Sequence, residues 1–329
     1  MEKAIPATVA PRGVSSGLKA AGFLVAQTRA ASFWLMRAGI LILYWGCLML
    51  ASLLPLRWSF GIARQLGRAA YWWRRRSVGP QIATLGLMLG LNRREAQLTA
   101  RRTFELGASE DLDRWLYSRT AGQRIDDLIE IRGLENLAGA LSRGKGAIIC
   151  SGHCRSISTM GVALGLRGYK INHLAGVIGR GHAIDHWFYS RHREVEEKVG
   201  IRFLTVSPTS SSVGLQAAKA LQRNQIVNVF IDDPFDARAV EVNFLNGRVS
   251  FPIGPAVLAK ATGAPLLNYY VYRPEAWVPL IAEFSPPLYA SEDIGAVVQE
   301  CASRLEEKII QHPAGWYKWL SPKWRIKLG

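Results

Sequence analysis

From about residue 130 onward, the chain alternates between two kinds of hydrophobic pattern. Short apolar runs bounded by turn residues are typical of buried strands, and longer stretches with apolar residues at helical spacing are typical of helices. The pattern predicts strands at Ala147–Cys150, Ile201–Val206, Ile226–Ile231 and Pro265–Tyr272. It predicts helices at Ser158–Leu166, Asp185–Val199, Val213–Arg223 and Pro255–Ala261. Because helices separate the strands, the pattern indicates an α/β fold in which helices pack on a sheet.

The N-terminal quarter of the chain has a different pattern. The 19 residues from Ala38 to Leu56 carry no charge. At about 1.5 Å per residue, this length nearly matches a hydrocarbon core of roughly 30 Å. We therefore expect an N-terminal membrane-anchoring helix. Arg37 before the run and Pro55 near its end leave two alternatives open, a helix lying in the membrane interface and a buried core helix.

Aromatic and basic residues surround this apolar run. Tryptophan and tyrosine settle at headgroup depth, and arginines flanking a membrane segment favour the cytoplasmic side. The aromatic residues are Trp34, Trp45, Trp58, Tyr71, Trp72 and Trp73, and the arginines after the run are Arg57, Arg64, Arg68, Arg74, Arg75 and Arg76. We expect a loose tail (1–32), a membrane anchor with a basic-aromatic juxtamembrane segment (33–76) and a cytoplasmic α/β domain (77–329).

Charge and cysteine content narrow the possible partners and compartments. The 41 Lys and Arg residues outnumber 25 Asp and Glu residues and leave a net charge of +16. This excess suits nucleic acid, anionic lipid or an acidic carrier protein. The basic residues concentrate beside an apolar aromatic segment, so we expect anionic membrane lipid and no nucleic acid. Four scattered cysteines are too few for a disulfide scaffold, which favours a reducing compartment.

The end of the first predicted strand carries candidate chemistry. In α/β sheets, sites lie beyond the carboxyl ends of strands, and here Gly152 and His153 follow the strand and precede a helix. A histidine in this position can act as general base on a hydroxyl, because its ordinary pKa lies near working pH. Cys154 is an alternative covalent nucleophile. Zinc binding by Cys150, His153 and Cys154 is disfavoured because no fourth ligand follows at metal spacing.

Three further segments contain polar residues that suit a site. Asp232 and Asp233 close a predicted strand, where Asp232 can orient a base, bind substrate or cap a turn. The Gly254-Pro255 pair opens a helix whose N-terminal amides can meet an anion. A third cluster lies at helical spacing, for which a polar helix face is favoured over a metal or catalytic site: His182, Asp185, His186 and His192.

Several of these segments together resemble one family. The stretches LASLLPLRWSFGIARQLGRAAYWWRRR, DDPFDARAVEVNFLNGRVSFPIGPAVLAKATGAPLLNYYVYR and HPAGWYKWLSPKWR, with the strand–Gly–His turn, are similar to the bacterial lipid A biosynthesis acyltransferases. These are the lauroyl/myristoyl transferases within the lysophospholipid acyltransferases, and the resemblance covers roughly residues 35 to 326. It implies a glycerolipid acyltransferase-like fold, with a central mixed sheet flanked by helices.

The resemblance also implies roles for individual residues. His153 would be the general base of the family's HX4D/E motif. Arg191 and Arg193 lie where the family has a substrate-contacting arginine, and Gly247 and Gly254 are further candidates for substrate binding. The motif departs from the family at Ser158, which occupies the position of the usual acid.

Because serine cannot offset the charge of an imidazolium, three explanations stay open. Another acid substitutes, with Asp232, Asp233 and Asp185 as candidates. Alternatively the acceptor is an amine, which needs less base catalysis, or the protein is a non-catalytic lipid-binding homologue.

The expected function is that of an acyltransferase on the cytoplasmic face of the bacterial inner membrane. It would move a fatty acyl group from acyl carrier protein or acyl-CoA to a hydroxyl or amine of an amphipathic acceptor. No metal or tightly bound cofactor is required by this chemistry. A non-catalytic homologue that keeps the fold and binds lipid is the alternative.

Overall fold

The computed structural model describes residues 39–119, 125–176, 183–206, 212–233, 238–275, 277–321 and 326–328. The described chain divides between Cys47 and Leu48 into two units. Its strands are β1 (Ile129–Arg132), β2 (Ala147–Ser151), β3 (Ile171–Gly176), β4 (Ile201–Val206), β5 (Ile226–Phe230), β6 (Ala239–Asn243), β7 (Gly247–Pro252), β8 (Leu266–Tyr272), β9 (Leu280–Phe284) and β10 (Lys327–Leu328). Its helices are α1 (39–51), α2 (Leu56–Arg74), α3 (Gly79–Leu89), α4 (Arg93–Arg119), α5 (Leu134–Leu141), α6 (Ile157–Leu166), α7 (Ala183–Lys198), α8 (Ser212–Gln222), α9 (Gly254–Thr262) and α10 (Ile294–Gln311).

Within the described residues, seven strands form a mixed sheet in the order β1-β9-β8-β2-β5-β3-β4. Neighbouring strands are parallel except for the antiparallel pair of β8 and β9. Strands β6, β7 and β10 form a small separate sheet. This architecture confirms the predicted α/β fold with a central mixed sheet. The four strands predicted from the apolar runs are present with bounds that differ by no more than a residue.

The middle of the large sheet sets the position of the candidate site. Strands β2 and β5 are adjacent and parallel, and nearly all of their residues are buried. Their register places Ser151 opposite Phe230, so the two strands end at the same edge of the sheet. Side chains that follow the two strands therefore meet at that edge.

The apolar run at the N-terminus is not one continuous helix. Helix α1 ends at residue 51, a turn follows, and α2 begins at Leu56. The buried hydroxyl of Ser59 donates to the carbonyl of Ala51 at 2.8 Å, and it lies 3.1 Å from the carbonyl oxygen of Leu54. These contacts stabilise the bend. Residues 33–38 of the expected anchor lie outside the described residues.

The bend bears directly on the expected membrane anchor. Among the residues that the structure describes, no helix combines the length and the apolar character needed to cross a bilayer. A single spanning helix over Ala38 to Leu56 is therefore not confirmed. The sequence did not predict the bend, because residues 52–55 lie within the uncharged run and Pro55 is the one strong turn signal there.

Helix α2 packs closely on α4. Its buried stripe includes Phe60, Ala63 and Gly67, and a Cβ added at Gly67 would lie 2.5 Å from the Cα atom of Glu105. Only glycine permits this approach of the two backbones. Away from this stripe, Trp72 is 68% exposed, and Trp58 and Trp73 are exposed with it.

Candidate active site

His153 and Asp232 form a hydrogen-bonded pair at the edge where β2 and β5 end. The Nδ1 atom of His153 lies 2.6 Å from Oδ1 of Asp232. The backbone N–H of His153 also donates to Oδ2 of Asp232 at 2.7 Å. The carboxylate thus fixes both the ring and the main chain of the histidine. Of the two candidate acids whose side chains the structure describes, Asp232 and Asp233, it is Asp232 that contacts His153.

Asp232 is completely buried and is held by groups from distant parts of the chain. The indole Nε1–H of Trp316 donates to its Oδ2 atom at 2.8 Å. Burial alone would raise the pKa of Asp232, but the charge and hydrogen bonds of His153 and the bond from Trp316 bring this pKa below its ordinary value. Asp232 is therefore a carboxylate at neutral pH, and it accepts the Nδ1 proton of the imidazole.

The imidazole of His153 lies between two aromatic rings. Its centroid lies 4.5 Å from that of the Phe230 ring and 6.0 Å from that of Tyr317. The backbone N–H of Tyr317 donates to the carbonyl of His153 at 3.0 Å. Because Nδ1 bonds to Asp232, Nε2 is the nitrogen that can take a proton, and the side chain keeps 15% of its surface exposed. The arrangement has the geometry of a general base with its orienting acid.

Gly152 allows the loop to pass close to the buried carboxylate. A Cβ at this position would lie 3.0 Å from Oδ2 of Asp232 and 3.0 Å from Cδ2 of Leu305. We expect Gly152→Ala to destabilise the protein by about 1–3 kcal/mol, because the added methyl overpacks a fixed oxygen and a buried leucine. Thermal melting checks the expectation. Gly139→Ala is the control, because nothing lies within 4 Å of a Cβ there, and a melting temperature for Gly152→Ala equal to that of this control would contradict it.

A buried ion pair supports the loop that follows His153. The backbone of Ser156 has a φ of 61°, which a non-glycine residue rarely adopts. Its hydroxyl donates to Asp113 of α4 at 3.1 Å. The guanidinium of Arg273 donates to both oxygens of Asp113 at 2.6 and 2.7 Å, and both side chains are essentially buried. The strained loop is therefore held by a charged group on a different element.

Arg155, two residues after His153, makes a second link to α4. Its Nη1 atom donates to Glu110 at 3.1 Å, and its guanidinium carbon lies 4.4 Å from the centroid of the Tyr317 ring. Arg114 also donates to Glu110, at 2.6 Å. Helix α4 thus holds the loop after His153 through Glu110 and Asp113.

Ser158 contacts polar side chains other than His153. It lies in the first turn of α6, where its hydroxyl hydrogen-bonds with Tyr117 and Glu196. Burial raises the pKa of Glu196, and the bond from Ser158 counteracts part of that rise. The side chain at the family's acid position therefore belongs to a polar cluster between α4, α6 and α7.

The other acids considered as partners of His153 are placed differently. Asp233 forms an ion pair with Lys318. Asp185 belongs to α7, but its side chain lies outside the described residues.

Cys154 is a poor candidate for a nucleophile. It is 2% exposed, and burial raises the pKa of its thiol to about 12. A reactive cysteine requires a thiolate, so burial and the raised pKa both disfavour covalent catalysis by Cys154. No group of three metal-ligating side chains comes together in the described ranges. His192 is buried with Nδ1 2.8 Å from the hydroxyl of Ser118; His182 and the side chain of His186 lie outside the described residues.

The structure places the residues that were expected to bind substrate in different surroundings. Arg193 pairs with Glu197 at 3.0 Å on α7, and the side chain of Arg191 lies outside the described residues. Gly247 begins β7, where a Cβ would lie 2.6 Å from the carbonyl oxygen of Lys327. Packing against β10 therefore explains this glycine. Gly254 opens α9 with nothing within 4 Å of a Cβ, so its role stays a prediction.

Sequence reasoning missed Trp316 and the support from Asp113 and Arg273. Trp316 lies in the segment HPAGWYKW, which contributed to the family resemblance but to no predicted role. Asp113 and Arg273 lie 160 residues apart, and no local pattern relates two such positions.

The chain matches known proteins over most of its length. The family model of the bacterial lipid A biosynthesis acyltransferases matches residues 27–326. Over 212 residues the chain is 28% identical to the phosphatidylinositol mannoside acyltransferase of Mycobacterium tuberculosis strain H37Rv, which is 64% of this chain and 64% of that protein. Over 203 residues it is 25% identical to the protein of the same name from Mycolicibacterium smegmatis, with coverage of 61% and 64%.

The matched segment thus spans just under two thirds of the length of these relatives. The family match extends from the N-terminal helices through the paired His153 and Asp232 to the segment that contains Trp316. The chain belongs to the bacterial lipid A biosynthesis acyltransferase family.

Proposed function

We propose that this protein transfers a fatty acyl group from an acyl thioester to a hydroxyl or amine of an amphipathic lipid acceptor, with His153 as general base. The observation that carries the proposal is the 2.6 Å contact between Nδ1 of His153 and the buried carboxylate of Asp232. Family membership supports the reaction class. The donor is an acyl carrier protein or acyl-CoA thioester.

The geometry suggests how the reaction proceeds. Nε2 of His153 takes the proton of the acceptor hydroxyl while the acceptor oxygen attacks the thioester carbonyl carbon. The tetrahedral intermediate then collapses, the carbon–sulfur bond breaks, and the imidazolium returns its proton to the departing thiolate. Asp232 keeps the ring in the tautomer with a free Nε2 and stabilises the positive charge that the ring carries between the two steps.

Asp232 can also take the place of the acid that the family motif has at the position of Ser158. A serine at that position leaves the imidazolium charge without a partner within the motif. The carboxylate at the end of β5 supplies one from the neighbouring strand. This favours an enzyme over the non-catalytic lipid-binding homologue.

We place the protein at the cytoplasmic face of the inner membrane. Support comes from the exposed apolar and aromatic residues around the bend between α1 and α2, which include Leu50, Leu53 and Trp58. The mycobacterial relatives are named phosphatidylinositol mannoside acyltransferases. We therefore infer an acceptor with a sugar-containing or phosphate-containing headgroup and a lipid tail.

Acyl transfer by the purified protein tests the proposal. We expect label from an acyl thioester to appear in one or more lipids of a panel of lysolipids and glycolipids, and His153→Gln to lower the rate at least about 100-fold, the lower bound for loss of a general base. His312→Gln is a matched control, because its ring stacks on Tyr272 at 3.7 Å and makes no contact with Asp232. Equal rates for the parent and His153→Gln would refute the assignment of the base.

A further inference from the structure

Four arginines surround one buried carboxylate between α2 and α4. Glu105 of α4 is 2% exposed and accepts from Nε of Arg64 at 3.1 Å and from Nε of Arg68 at 2.8 Å. Arg101 and Arg102 each approach it to 3.4 Å. The close contact of the two helices at Gly67 brings arginines from both helices to the same point.

This group, which we call the arginine cluster, carries more positive charge than Glu105 can neutralise. Four guanidinium groups against one carboxylate leave a formal charge of +3, and the next acid acting on Arg102 is Glu275. Burial and the charge of Arg64 lower the pKa of Arg102, although Glu105 opposes this effect. One arginine would be enough to pair with Glu105 and join the two helices. The other three arginines therefore suggest that the cluster also binds an anion.

The cluster retains donors that an anion can use. A guanidinium has five N–H donors, and Glu105 engages the Nε atoms of Arg64 and Arg68. The arginine side chains remain between 25% and 43% exposed. Glu105 thus holds the guanidinium groups in place. Arg102 also donates to the carbonyl of Pro274 and Arg68 to Gln65, each at 3.5 Å, and these contacts leave further N–H groups of each guanidinium for an anion. Fixed guanidinium forks suit the tetrahedral oxygens of phosphate.

The aromatic residues beside the cluster indicate where the phosphate comes from. Arg64, Arg68 and Trp72 follow one another at intervals of four, so they lie along one face of α2. Trp72 is exposed, and the guanidinium carbon of Arg75 lies 5.4 Å from the centroid of its ring. An exposed tryptophan beside arginines matches the headgroup layer of a bilayer.

We propose that the arginine cluster is a binding site for the phosphodiester group of an acidic phospholipid headgroup. Glu105 is a positioning residue, and Arg64, Arg68, Arg101 and Arg102 provide the phosphate contacts. On α4, Glu105 precedes Glu110 and Asp113, which support the loop after His153. A phospholipid headgroup bound at the arginine cluster would therefore bring α2 to the membrane surface. The inference does not require acyl transfer, because binding is measured without turnover.

Partition of the full chain onto vesicles tests the site. We expect binding to phosphatidylcholine vesicles that contain phosphatidylglycerol, and we expect Arg64→Gln/Arg68→Gln to weaken it roughly 10- to 30-fold. Lys219→Gln/Arg223→Gln is the control, because it removes the same charge from the end of α8. Equal losses in the two double variants would show a diffuse charge effect and overturn the site.

Two further variants test whether binding depends on the guanidinium groups themselves, and not only on their charge or on the stability of the fold. Arg64→Lys/Arg68→Lys keeps the charge and is expected to bind between the parent and the Gln variant; full binding would overturn the site. Arg101→Gln leaves both arginines of α2 on Glu105, and we expect a several-fold loss of binding with an unchanged melting temperature. No loss in this variant would also count against the proposal.

Inorganic phosphate distinguishes the two sources of the ligand. If the site takes a lipid headgroup, phosphate at constant ionic strength leaves the melting temperature of the parent close to its value in chloride. A soluble phosphate ligand would give two different results. Phosphate would raise the melting temperature of the parent but not that of Arg64→Gln/Arg68→Gln, and these substitutions would leave vesicle binding unchanged. Together these results would show that the lipid assignment is wrong.

Discussion

Asp232→Asn is expected to lower turnover by about 10⁴-fold, the effect known for the orienting acid of a serine-protease triad. The amide oxygen can replace Oδ2 and keep the bonds from the backbone N–H of His153 and the indole of Trp316. The amide NH2 then faces Nδ1 of His153. This forces the ring proton onto Nε2, where it blocks the base. The fold should persist, because the shape and the two retained bonds are unchanged.

Asp233→Asn is the matched control for this experiment. Asp233 is the next residue and pairs with Lys318 instead of His153, so its loss should change turnover only a few-fold. Nitrogen NMR of His153 gives a second readout, with the proton on Nδ1 in the parent and on Nε2 in Asp232→Asn. Near-parental turnover of Asp232→Asn with the parental tautomer would disprove the role of this carboxylate.

Arg273→Met should be the most destabilising substitution that we predict. It leaves Asp113 buried without the guanidinium that donates to both of its oxygens. Removing one partner of a buried ion pair costs about 3–5 kcal/mol, which corresponds to a melting temperature lower by roughly 5–15 °C. The variant also loses the 2.6 Å bond from Arg273 to the carbonyl of Val278 and the contact with the ring of Phe60.

The pH dependence of this variant has a definite sign. Burial raises the pKa of Asp113 even with Arg273 present, and removal of Arg273 raises it further. A carboxyl group whose folded pKa exceeds its unfolded pKa takes up its proton preferentially in the folded state. The deficit in stability should therefore be greatest at neutral pH and become smaller as the pH falls toward 4.

Arg167→Met provides the comparison. Arg167 pairs with Asp126, which is 76% exposed, and exposed pairs contribute less than about 1 kcal/mol. Similar melting temperatures for Arg273→Met and Arg167→Met would show that the buried pair does not stabilise the fold.

The sequence predicted the α/β fold class and the location of the candidate site because both depend on local patterns. The buried runs that became β2 and β5 are uninterrupted by charge, and the turn with Gly152 and His153 follows directly. Strand β3 was missed because Asn172 and His173 interrupt its apolar pattern. The structure explains both: Asn172 bonds to Gln225, and His173 bonds to Asn228.

The partner of His153 could not be selected from the sequence alone. Asp232, Asp233 and Asp185 were equivalent candidates until the order of the strands was known. Adjacency of β2 and β5 favours the two acids that follow β5, because it brings the first residues after both strands together. The side chain of Asp185 lies outside the described residues. The direction of each side chain then separates Asp232 from its neighbour Asp233, and direction after a strand end is not encoded in spacing.

The separation of the three site residues along the chain has a consequence for how the protein is made. His153 and Asp232 lie 79 residues apart, and Trp316 lies a further 84 residues on. Contacts between such distant segments form slowly, since the intervening chain must close first. During synthesis, a ribosome must release nearly the whole domain before the indole can reach the carboxylate. We therefore expect the contact between Trp316 and Asp232 to form last, so that the carboxylate beside His153 is fully held only when the fold is nearly complete.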